Sequence, residues 1–111
     1  MITDLSYLRS MSGNDNSFIK EMVDIFREQI EEYSVQLPEL YKKGDYLSLS
    51  KVAHKAKSSV AVMGMTAVAD KLKELELKAH DSLEVETYET IINEVLNQAR
   101  LALIELDNEL K

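Results

Sequence analysis

At 111 residues the chain is long enough to bury one continuous apolar core without disulfides or metal as staples, and too short for two. It has no cysteine, which removes disulfide frameworks, thiolate zinc sites and cysteine nucleophiles together and fits a reducing compartment. A net charge of −7, from 13 basic against 20 acidic residues, argues against nucleic acid as the main partner, because phosphate contacts require concentrated Lys and Arg.

The N-terminal MITDLSYLRS has neither a basic region nor an apolar run of signal-peptide type, and no segment is apolar enough to cross a bilayer. A soluble, cytoplasmic protein with no membrane association is the expectation. Three glycines and one proline in the whole chain favour long helices over a turn-rich β fold. A short first helix is predicted around Asp4 to Met11, and the SGNDNS that follows supplies a glycine stop and several N-cap residues. A long helix is predicted from about Ser17 to Lys43, with Phe18, Met22, Ile25, Phe26, Tyr33, Leu37 and Leu40 at spacings of three and four and polar Gln29 filling the gap. Pro38 is expected to kink it or to split off a final turn. Gly44 closes it and Asp45 caps the next helix.

In the third segment Tyr46, Leu49, Ala53, Ala56, Val60 and Met63 form one stripe at alternating spacings of three and four. Gly64 is placed to end that helix, with Met63 and Met65 packed around the bend. Thr66 opens the next helix, whose Val68, Leu72, Leu75 and Ala79 keep the period. HDSLEVE is a polar connection that begins at that helix's last residue, His80, which is expected to meet the terminal carbonyls. From about Glu86, Tyr88, Ile92, Val95, Ala99, Ala102, Leu103, Leu106 and Leu110 mark a last helix. Four long amphipathic helices with short connections imply an all-α fold, an antiparallel four-helix bundle with a short N-terminal capping helix. Glu28, Glu31, Glu32 and Glu39 read as a solvated face of the second helix.

His54 lies between lysines on the third helix. At roughly 100° per residue it points about 130° away from the centre of the buried stripe, toward solvent, with Ser58 one turn later and Lys51 one turn earlier. Lys57 falls at the edge between core and surface, where its flexible stem would bring the ammonium toward the imidazole. An exposed, largely unprotonated imidazole with cations and hydroxyls at hand is competent to attack phosphorus. Leu47, Ala61 and Val62 place apolar atoms nearby, as the centre of a partner interface would. Spacing alone makes the histidine available, and an exposed helical histidine among solubilising lysines fits the same pattern.

The stretch Ala53 to Glu76, AHKAKSSVAVMGMTAVADKLKELE, resembles the signature of histidine-containing phosphotransfer (HPt) domains. There an Ala-His-x-Leu-Lys-Gly-Ser motif precedes a Gly and a helix ending in Leu-Glu. Ala53, His54, Lys57 and Ser59 match directly, as do Gly64 and Leu75-Glu76, and GDYLSLSKVAH resembles the family's approach to its histidine. Residues 1–111 would then form a single HPt-like domain. Two positions depart from the pattern: Ala56 replaces the usual Leu, and Ser58 replaces the usual Gly, which in the family lets a partner's backbone approach closely.

The resemblance implies a histidine phosphocarrier of a multistep two-component phosphorelay. His54 would accept the phosphoryl group on Nε2, and Lys57 would stabilise its charge. Leu47, Lys51, Ser58, Ala61 and Val62 would meet the partner, while Ser59, Gly64 and Glu76 are structural parts of the motif. The implied partners are response-regulator receiver domains and a hybrid sensor histidine kinase. The chain would bring no cofactor of its own, since Mg²⁺ belongs to the receiver, and it would act as a monomer. It has no phosphate-binding G-x-x-x-x-G-K-[ST] loop, so it is expected to be a phosphotransfer mediator and not an autonomous ATP-dependent kinase. Two other readings remain open. In the first the bundle is degenerate and binds a receiver or kinase without transfer, a reading Ser58 keeps alive. The second is a carboxylate-bridged metal bundle, which needs inward Glu-x-x-His pairs; Glu76 precedes His80 by four, and no metal site is expected.

Overall fold

A computed structural model describes residues 2–110. Its elements are α1 (Ser6–Ser12), α2 (Asn16–Lys43), α3 (Tyr46–Val62), α4 (Thr66–His80), a single 3₁₀ turn (Val85–Thr87) and α5 (Tyr88–Glu109). Short connections make α2 to α5 run antiparallel in succession. Each packs on two neighbours, α2 on α3 and α5 and α4 on the same two, so the four close around one core while α1 lies against α2. The 28 residues of α2 rise 1.5 Å each and run the length of a molecule whose long dimension is 42 Å.

The helices end where local chemistry stops them. Asp15 caps α2 by accepting from the amides of Ser17 and Phe18. At its other end Gly44 adopts φ +72°; its amide bonds the Tyr41 carbonyl and the Asp45 amide bonds that of Leu40, which satisfies two carbonyls the helix leaves free. Asp45 then accepts from the Ser48 amide to start α3. α1 begins at Ser6, two residues later than the spacing suggests, because the Asp4 carboxylate accepts from the Ser6 amide and holds the preceding chain outside the helix.

The buried stripe of α2 shares Phe26, Tyr33 and Leu37 with the expected one and departs from it elsewhere. Ile19, Val23, Phe26, Ile30, Tyr33 and Leu37 are buried, whereas Ile25 is 43 % exposed and Phe18, Met22, Gln29 and Leu40 sit at the margin. The alternative stripe runs unbroken at spacings of four and three, and a helix packed on both α3 and α5 must bury the face between them. Pro38 neither splits nor ends α2, which continues five residues beyond it. Apart from half-buried Tyr46, the expected stripes of α3 and α4 are buried, as are Met63 and Met65 at the bend, and Glu28, Glu31, Glu32 and Glu39 are exposed.

α3 and α4 make the most extensive pair of the bundle. Ala53, Ala56 and Ala79 are fully or almost fully buried, and side chains this small let two helix backbones approach closely. At the turn between them Gly64 adopts φ +71°, and a Cβ there would lie 2.2 Å from the Asp4 carbonyl oxygen. The N-terminal segment thus crosses directly over the bend, bonded by the Asp4 amide to the Met63 carbonyl at 2.9 Å. Glu105 on α5 holds the same segment, accepting from the amides of Ile2 and Thr3 and from the Thr3 hydroxyl at 2.7 Å. At the opposite end the Tyr88 hydroxyl reaches the carbonyls of Lys78 and Leu83, and its ring meets Tyr46 edge to face at 5.4 Å.

Gly64→Ala combines left-handed strain with a clash against backbone and is expected to cost about 2–4 kcal/mol in urea unfolding. Gly13→Ala, at φ +63° with open space around it, should cost only about 1 kcal/mol. The amide of Ile2 foremost, with the hydroxyl and amide of Thr3, holds the Glu105 carboxyl below the usual carboxylate range. Its contribution is complete above that range and is lost as the pH falls through the lowered native value. Thermal unfolding of Glu105→Gln should therefore show a smaller drop in Tm on acidification than wild type.

Candidate functional site

The centre of α3 carries the site. His54 follows buried Ala53, and its side chain is 61 % exposed, as helical geometry requires one residue past the core stripe. One turn earlier, Ser50 is buried and donates its hydroxyl to the Glu76 carbonyl on α4 at 2.7 Å. That bond fixes the register of the two helices at the level of the histidine. It sets the Glu76 carboxylate, 22 % exposed, beside α3, where one oxygen lies 3.0 Å from Nδ1 of His54 and the other 2.9 Å from the Lys57 ammonium. The Lys57 ammonium, expected on the imidazole's side of the helix, bonds the Glu76 carboxylate that stands between the two α3 side chains.

The electrostatics follow from this placement. The Lys57 ammonium holds the Glu76 carboxyl below the usual carboxylate range; partial burial opposes it, and His54 adds a weaker pull in the same direction. Glu76 is therefore an anion at neutral pH and can only accept, so Nδ1 of His54 carries the hydrogen. In a neutral imidazole the unprotonated nitrogen is then Nε2, on the side of the ring away from α4.

Other residues singled out in the sequence fall around this centre. Lys51, Ser58 and Ala61 are exposed on the same helix, Leu47 is 52 % exposed and Val62 half-buried. Ser59 is fastened inward, 3.1 Å from the Tyr33 hydroxyl on α2. Gly64 lies at the end of α3 and acts through the bend alone. An open depression of about 480 Å³ beside the imidazole is lined by Ser50, Lys51, His54, Lys55, Glu76 and His80. His80 does not reach a helix-terminal carbonyl: its Nδ1 meets the Asp81 carboxylate at 3.0 Å, and the amides of Asp81 and Ser82 take the Ala79 carbonyl. On the other side of α3 a groove against α2 is lined in part by Ile25, Gln29, Ser58 and Val62.

Ser50, and the bridging role of Glu76, were not found from sequence. Ser50 falls at helical spacing between Tyr46 and Ala53, so a polar residue on the buried side was the signal available.

Nitrogen-15 NMR at neutral pH should find His54 in its Nδ1–H tautomer. In Glu76→Ala the Nε2–H form, preferred by free imidazole, should become the major one.

α3 contributes three of the thirteen basic residues, Lys51, Lys55 and Lys57, and none of the twenty acidic ones, so the histidine stands in a basic strip on an acidic molecule. No curated protein and no solved structure matches the chain. The family model of the Hpt domain matches residues 21–109, which takes in the exposed histidine, its two partners and all four bundle helices except the first turn of α2. The chain therefore belongs to the Hpt family, the histidine phosphotransfer domains of phosphorelays.

Proposed function

We propose that the chain is a phosphocarrier that accepts a phosphoryl group on Nε2 of His54 from the aspartyl phosphate of one receiver domain and returns it to the aspartate of another. The observation that carries this reading is the exposed imidazole with Nδ1 engaged by Glu76, which leaves Nε2 as the one outward nucleophile. In the forward step the Nε2 lone pair attacks phosphorus in line. The N–P bond forms as the acyl P–O bond breaks, its electron pair leaving with the aspartate carboxylate. The ring then bears a phosphoryl group on one nitrogen and hydrogen on the other and is positively charged; Glu76 offsets that charge across a 3.0 Å hydrogen bond. Lys57 keeps Glu76 ionised and adds positive charge one turn from the phosphoryl group. Return of the group runs the same bonds in reverse.

The protein supplies position and charge, and the acidic pocket with its Mg²⁺ belongs to the receiver. Lys51 and Lys55, flanking His54, complement that acidic pocket, with Leu47, Ser58, Ala61 and Val62 as the surrounding contact surface. An intact His54–Glu76–Lys57 arrangement favours transfer over a degenerate bundle that only binds. A hybrid sensor histidine kinase is the expected source of the phosphoryl group, by way of its receiver. With no nucleotide loop of its own, the chain acts as a cytoplasmic, monomeric mediator and not as a kinase.

Incubation with a phosphorylated receiver domain should place acid-labile, base-stable phosphate on the wild type, and ATP alone should place none. His54→Gln should accept at least a hundredfold less. Labelling of that variant at the wild-type rate would falsify the assignment.

A further inference from the structure

The hydroxyls of Ser58 and Ser59 are adjacent in sequence and opposite in situation. Ser59 is half-buried, meets the Tyr33 hydroxyl and donates back toward the Lys55 carbonyl, the usual resting place of a helical serine. Ser58 is exposed and enters no hydrogen bond among the described residues, not even to the carbonyl one turn behind it. It stands four residues after His54, so the two side chains are neighbours on one face, with Cβ atoms about 5–6 Å apart. A helical side chain leans toward the N-terminus, which tilts the Ser58 hydroxyl over the turn that carries the histidine.

The side of α3 matters as much as the spacing. Glu76 draws Nδ1 toward α4, and Nε2 faces the other way. Ser58 lies on that other side, lining the groove between α3 and α2. Lys57 is held on the α4 side by its bond to Glu76, so on the Nε2 side the Ser58 hydroxyl is a free donor within one turn. A hydroxyl is a good partner there, because the phosphoryl oxygens carry close to two negative charges.

We propose that Ser58 donates its hydroxyl hydrogen to an oxygen of the phosphoryl group on Nε2 of His54, and so lengthens the life of the phosphorylated state. The inference rests on the phosphocarrier reading. In the loose transition state of hydrolysis, the transferring group approaches metaphosphate and its outer oxygens carry less charge than in the ground state. A donor to those oxygens therefore stabilises the phosphohistidine more than the transition state.

The test uses phosphoramidate as the donor: its P–N bond breaks with ammonia leaving as the Nε2–P bond of His54 forms. Wild type, Ser58→Ala, Ser58→Thr and His54→Gln are loaded, the product is identified by phosphorus-31 NMR and its hydrolysis half-life is measured near neutral pH. Alanine is the best helix former and position 58 is exposed, so circular dichroism should show all the Ser58 variants folded. Ser58→Ala is expected to shorten the half-life roughly two- to fivefold, the effect of one exposed hydrogen bond, and Ser58→Thr to restore it. Equal half-lives in wild type and Ser58→Ala, or a threonine variant that behaves as alanine, would overturn the role of Ser58 and leave the phosphocarrier reading standing. Wild type that fails to load, or His54→Gln that loads equally, would overturn both.

Discussion

The close contact of α3 with α4 is the constraint on which the site depends. Three alanines, Ala53, Ala56 and Ala79, lie buried among the residues of these two helices, and the Ser50 hydroxyl fixes their register through the Glu76 carbonyl. The bond costs little, since both groups are satisfied where burial would otherwise penalise them. It also determines which α4 side chain arrives beside the histidine. A slip of one residue would rotate Glu76 by about 100° and remove it from both His54 and Lys57.

The same contact explains how an exposed histidine acquires a defined orientation. A side chain 61 % exposed has little packing to hold it, and a charged acceptor on the neighbouring helix supplies what packing does not. Glu76 is itself held by Lys57, so the chain of constraint runs from the core through the α3–α4 register to a carboxylate, and from there to the imidazole. The far end of that helix pair is secured by the N-terminal segment crossing Gly64 and tied to Glu105 on α5. The bend is thereby fixed from outside as well as by its own turn geometry. Charge is organised around this centre too: α3 presents lysines alone, on a molecule whose net charge is −7. An acidic pocket of the proposed receiver partner would be attracted to that strip and repelled by the rest of the surface.

Much of the fold was legible in local pattern. The stripe from Tyr46 to Met63 lies close to the core and faces inward, and the stops at Gly13, Gly44 and Gly64 and the caps at Asp15 and Asp45 occur as their chemistry predicts. In α2 two stripes run side by side about one residue apart, and Ile25, on the expected one, is exposed. Choosing between them required knowing which helices flank α2, and composition carries no such information. Pro38 does not split α2; the packing of buried Leu37 and its neighbours outweighs one missing amide donor.

By itself, then, the sequence determined the helices, their inward faces, and the exposure of His54, because each depends on interactions between residues three or four apart. It also placed Lys57, Ser58 and Ser59 on the turn beside the histidine, for the same reason. The tertiary structure alone decided that Glu76, twenty-two residues away, stands between His54 and Lys57. It decided as well that Ser59 turns inward to Tyr33 while Ser58 stays free, and that Gly64 is needed for a crossing segment sixty residues earlier. These are contacts between elements, set by which backbones approach closely and in what register, and helical periodicity is silent on both.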